Sequence, residues 1–90
     1  MQVSDIVYSA ATIDFSLYDI NVLSIDLKES KLSFHILIAD YIKYLTKHPY
    51  KIKERNIINY EYEIRCNVGN ISFYALLTSK EKENFLKRTI

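Results

Sequence analysis

The sequence predicts an α+β fold: a four-stranded antiparallel sheet built from two β-hairpins, with helices on one face, in the order α-ββα-ββα. Three observations carry this expectation. Residues 59–66 and 71–77 alternate apolar and polar side chains with a period of two, on either side of the only glycine, Gly69. Residues 20–38 repeat the plan around a polar turn at residues 28–31. Each hairpin is then followed by a segment with helical spacing or a helical cap.

Taken in order, residues 4–18 place Ile6, Ala10, Ile13 and Leu17 on one helical stripe and Ser9, Thr12, Ser16 and Asp19 on another, with Ser4 as a cap. The competing reading is an extended strand running into residues 20–27, because Val, Thr, Ile and Tyr also suit strands. Residues 20–27 align Leu23, Ile25 and Leu27, and residues 32–38 align Leu32, Phe34, Ile36 and Ile38. A helix over residues 39–47 has Ile38, Ile42 and Leu45 at helical spacing, with Tyr41 and Tyr44 beside them. Pro49 ends it, since the residue before proline resists the helical conformation. Residues 47–55 then read as a basic loop leading into the next strand.

In the second hairpin Tyr60, Tyr62, Ile64 and Cys66 share one face, while Glu61, Glu63 and Arg65 share the other. The turn at residues 67–70 suits Gly and Asn, which take positive φ at low cost. The returning strand aligns Ile71, Phe73, Ala75 and Leu77. Thr78 and Glu81 have capping-box spacing at the head of a charged helix over residues 80–88. Residues 32–38 also align with residues 71–77 at an offset of 39, which raises an internal ββα duplication.

At 90 residues the chain fits one domain, residues 1–90, with a stability of about 5–10 kcal/mol. Ile, Lys, Tyr and Asn, all with AT-rich codons, make up 36 of the 90 residues. That bias suggests an AT-rich prokaryote, its phage or a mobile element as the source. A net charge of +1 gives no overall attraction to nucleic acid or membrane, so such binding would need local clustering. The single cysteine, Cys66, precludes an internal disulfide, and no apolar run approaches the length of a membrane span. Met1 to Asp5 has no basic region leading into an apolar run, so no secretory signal is expected and the expected location is cytoplasmic.

No phosphate-cradling glycine loop, paired-cysteine metal motif or zinc-protease motif occurs, so no cofactor, no metal and no enzymatic activity are expected. His35, His48 and Cys66 would form a nucleophilic or metal site only if the fold gathered them, and alternation sets His35 outward and Cys66 inward. Glu61 and Glu63 could cooperate in acid–base work, but a solvated face balanced by Arg65 is the simpler account. Eight tyrosines exceed the ordinary share, and Tyr41, Tyr44, Tyr50 and Tyr74 are the candidates for an exposed partner-binding surface. Lys47, Lys51, Lys53 and Arg55, with Tyr50 among them, are the candidates for a nucleic-acid contact.

The leading expectation is a non-enzymatic protein-binding module, an inhibitor, immunity or assembly protein, with homodimerisation as a way to enlarge a small core. The alternative is a nucleic-acid-binding protein using residues 47–55. The second alternative is a small ribonuclease-like or nucleotide-processing enzyme using His35, His48 or Arg65.

Overall fold

A computed structural model describes residues 19–28, 31–69 and 71–88. The helix expected over residues 4–18 lies outside them. The class is α+β as expected, but the sheet has five strands and is mixed. The elements are β1 (Val22–Lys28), β2 (Lys31–Ile36), α1 (Ile38–Tyr44), β3 (Tyr50–Ile57), β4 (Tyr60–Val68), β5 (Ile71–Leu77) and α2 (Ser79–Arg88). The strand order is β1-β2-β5-β4-β3. The β2–β5 pair is parallel, and every other pair is antiparallel.

The strand missed in the sequence is β3, which occupies the basic segment assigned to a loop. Only Tyr50 and Ile52 alternate cleanly with charged neighbours, and a register shift between Glu54 and Ile57 then breaks the pattern. As an edge strand β3 has one neighbour, so few of its side chains need be apolar, and lysines guard such edges against stray pairing. Asn59, in the turn between β3 and β4, takes a φ of 74°, which asparagine tolerates better than most residues.

The all-antiparallel expectation fails because β5 does not sit at an edge. It inserts between β2 and β4, and β2 reaches β3 through α1, past both intervening strands. The 39-residue offset has a direct structural meaning: Leu32, Ser33, Phe34 and His35 pair with Ile71, Ser72, Phe73 and Tyr74. The aligned segments are parallel neighbours in register. They do not reflect a duplicated unit of the same hand. Seen from the helical side with β2 and β5 pointing up, β1 flanks β2 on one side and β4 flanks β5 on the other. The two ββα units are thus mirror-handed, and no rotation superposes them.

The core lies between the sheet and the two helices, where Phe34, Ile36, Ile64, Cys66, Phe73, Ala75 and Leu77 meet Tyr41, Leu45 and Phe85. Phe34 and Phe73 pack edge to face, with ring centroids 5.4 Å apart. Along β1 a register shift between Val22 and Ser24 brings Val22 opposite Ile36 and into the core, and pushes Leu23 out. Ile25 and Leu27 face the same way as their partners Phe34 and Leu32, yet remain 37% and 71% exposed.

The capping box forms as its spacing predicts. The Glu81 backbone N–H donates to Thr78 Oγ1 at 3.1 Å, and the Thr78 backbone N–H donates to Glu81 Oε1 at 2.9 Å. The first helix is held differently. Leu37 at its N-cap makes no side-chain bond, and Asp40 in its first turn accepts from the Asn21 backbone at 3.3 Å. None of the helices among the described residues is long and apolar enough to cross a membrane.

Candidate functional site

Alternation along five paired strands sorts side chains into two faces. Both helices pack on the core face, so among the described residues no helix covers the other. Cross-strand register lines up the residues of this open face in rows. One row reads Ser24, His35, Tyr74, Arg65 and Lys51 from β1 to β3. A second reads Asp26, Ser33, Ser72 and Asn67. A third runs Leu76, Glu63 and Lys53.

At the centre stands Glu63, only 1% exposed although it belongs to the open face. Its carboxylate accepts from Arg55 Nη1 at 2.7 Å and Arg65 Nε at 3.0 Å, and lies 3.9 Å from Lys53 Nζ. The remaining reach of Arg65 goes to the Ser33 and Ser72 hydroxyls, at 3.1 and 2.9 Å from Nη1. A buried carboxylate thereby fixes two guanidinium groups that remain about one-third exposed. Four cations (Lys51, Lys53, Arg55 and Arg65) share the face with the carboxylates of Asp26, Glu63 and, at the far end of β4, Glu61, so the balance is positive by one charge.

Beside this cluster Tyr74 forms the middle of a three-layer stack. Its ring is parallel to that of His35, centroids 4.8 Å apart, and the Arg65 guanidinium lies 4.5 Å from its centroid. The Tyr74 hydroxyl donates to Asp26 Oδ2 at 3.4 Å. Burial pushes the Tyr74 pKa up, and the Asp26 carboxylate adds to this against the opposing influence of Arg65 and Ser24. Burial lowers the His35 pKa despite the carboxylates of Asp26 and Glu63, so the ring stacks in its neutral form at pH 7. A concavity of about 600 Å³ opens over this region, lined by Lys53, Arg55 and Arg65 from β3 and β4 and by Asp26, Ser33 and Tyr74 from β1, β2 and β5.

The structure separates most of the expected tyrosine surface. Tyr41 was expected at the surface and is instead fully buried; among the described residues it is the largest of the fully buried side chains. Sequence spacing put it beside the apolar stripe, but α1 turns Tyr41 and Leu45 into the core together. Burial pushes both the Tyr41 and Cys66 pKa values up, so this pair stays protonated. Tyr50 is half-buried, edge to face with Phe85 at 5.1 Å, and Tyr44 is half-buried under Lys43. Of the four, Tyr74 reaches the open face.

Three of the four basic candidates share one face. Lys51, Lys53 and Arg55 recur at every second position of β3, so all three stand on the open face, whereas Lys47 lies in the turn after α1. His35 and Cys66 point to opposite faces, as alternation implies, and among the described residues no three His, Cys, Asp or Glu gather as a metal site. Glu61 and Glu63 do not act as a pair. Glu61 accepts from the Ser79 backbone and hydroxyl at 3.1 and 3.4 Å, at the head of α2. The central role of Glu63 escaped sequence reasoning because its burial comes from arginines on two strands. The signal that could have found it was the short Tyr-Lys-Ile-Lys alternation at the start of β3. No family model, curated protein or solved structure matches the chain.

Proposed function

We propose that the chain is a binding module for single-stranded nucleic acid, which lies across the open face of the sheet. The observation that carries this reading is the alignment of Lys51, Lys53 and Arg55 with Arg65 on a face that no helix covers among the described residues. Cations spaced along a strand suit a phosphate backbone. The His35–Tyr74 stack beside them supplies an aromatic platform, and its outer neighbour on β1 is Ser24, too small to cap it. A flat sheet with aromatic side chains favours unpaired bases over a duplex, whose bases are already stacked.

The test is fluorescence anisotropy with a labelled 12-nucleotide single strand over a range of salt. With three to four phosphates neutralised, log K should fall against log salt with a slope of about −2 to −3. Replacing Lys51 and Lys53 together by alanine should weaken binding and reduce that slope by about 1 to 1.5. Absence of binding at low salt, or affinity indifferent to salt, would remove the proposal.

A second reading, self-association, is supported by β1. It is an edge strand, and Leu23, Ile25 and Leu27 leave it with exposed apolar side chains. Two copies pairing through β1 would cover these residues. Light scattering should then report twice the chain mass at high concentration, and Leu27→Asp should return it to one. A constant monomer mass up to about millimolar concentration would exclude a dimer of useful affinity.

A further inference from the structure

Resting on the nucleic-acid reading, we infer that the ligand is RNA rather than DNA, because the concavity on the open face has one wall for a phosphate and another for a sugar hydroxyl. Its phosphate wall is cationic. Arg55 and Arg65 are held by Glu63, and Lys53 stands beside them. Fixed guanidinium forks match phosphate oxygens better than mobile ammonium groups do. Toward β1 the lining carries the Asp26 carboxylate and the Tyr74 hydroxyl that donates to it, and Ser33, whose hydroxyl accepts from Arg65, lies between the two groups. A carboxylate repels phosphate, so the backbone settles against the arginines and the sugar faces Asp26.

One tyrosine side chain bridges the two walls, since the guanidinium of Arg65 lies 4.5 Å from the centroid of the ring whose hydroxyl meets Asp26. That is the scale of a single nucleotide, in which the ribose 2′-hydroxyl and its phosphate are close neighbours. The 2′-hydroxyl both donates and accepts, so it can take the place of the Tyr74 O–H as donor to Asp26, and the Tyr74 O–H then turns to donate to it. Deoxyribose can do neither, and would leave the carboxylate facing a C–H. The concavity, about 600 Å³, falls within the range of small-ligand sites.

The experiment compares RNA and DNA 12-mers of one sequence by anisotropy, on the wild type and on Asp26→Ala and Tyr74→Phe. Asp26 is exposed and Tyr74→Phe keeps the ring, so both variants should fold, which far-UV circular dichroism checks. The wild type should bind RNA roughly five- to tenfold more tightly, the worth of about one hydrogen bond. In Asp26→Ala the preference should collapse toward 1, through weaker RNA binding with DNA binding held or improved. Tyr74→Phe should also narrow it. Salt-dependent binding with equal RNA and DNA affinities in the wild type would overturn the inference and leave the nucleic-acid reading standing. A wild-type preference that survives Asp26→Ala would overturn the assignment of the sugar wall. Failure of both oligonucleotides to bind would overturn the inference together with the reading beneath it.

Discussion

Replacing Phe73 with alanine is expected to cost about 3–5 kcal/mol, enough to consume much of a domain stability of about 5–10 kcal/mol. Phe73 is fully buried, sits on the central strand β5, and meets Phe34 edge to face. Alanine removes the transfer free energy of the ring and leaves a cavity that strands on both sides restrain from collapsing. For a chain of 90 residues the melting temperature should fall by roughly 15–30 °C. Leu27→Ala is the control: its side chain is 71% exposed, so the change should stay within about 0.5 kcal/mol. A loss below about 1 kcal/mol at Phe73 would mean that β5 does not run through the centre of the sheet.

The second large effect is expected at Glu63. Glu63→Gln keeps the shape of the side chain and removes the charge that Arg55, Arg65 and Lys53 share. The three cations then face one another with no anion between them, and the buried amide can satisfy only part of what the carboxylate did. The cations are one-third to two-thirds exposed and can turn to water, so the cost should be about 2–3 kcal/mol, below that of breaking a fully enclosed pair. Because repulsion contributes, raising salt from about 0.05 M to about 0.5 M should recover part of the loss in Glu63→Gln. Urea denaturation at the two salts measures both quantities. Equal stability of variant and wild type at both would show that the cluster forms without its carboxylate.

These two residues mark the reach of sequence reasoning. Phe73 could be assigned to the core from its own strand, because Ile71, Ala75 and Leu77 share its face by alternation. Glu63 could be assigned to the polar face in the same way, but its burial could not. That burial depends on Arg55 from β3, which the chain brings beside β4 only once the edge strand pairs. The tyrosines show the same division. Tyr41 and Tyr74 look alike in sequence, each a large amphipathic ring next to apolar residues. Helix rotation buries the first and strand parity turns the second outward.

By itself the sequence determined what depends on near neighbours. The β4–β5 hairpin about Gly69, the paired strands β1 and β2, the Thr78–Glu81 cap and the inward set of Ile64, Cys66, Phe73 and Ala75 all follow from side-chain period and turn chemistry over a few residues. Only the tertiary structure decided that β5 lies between β2 and β4, that β2 and β5 run parallel, and that β3 closes the far edge with its lysines beside Arg65. Strand order is chosen by which apolar faces pack best across distant parts of the chain, and a pleated strand offers equivalent hydrogen-bonding edges to several partners. The period of a segment therefore says which way each side chain points. Which side chains become neighbours, and hence where the cationic cluster forms, is settled by the competition among whole packings.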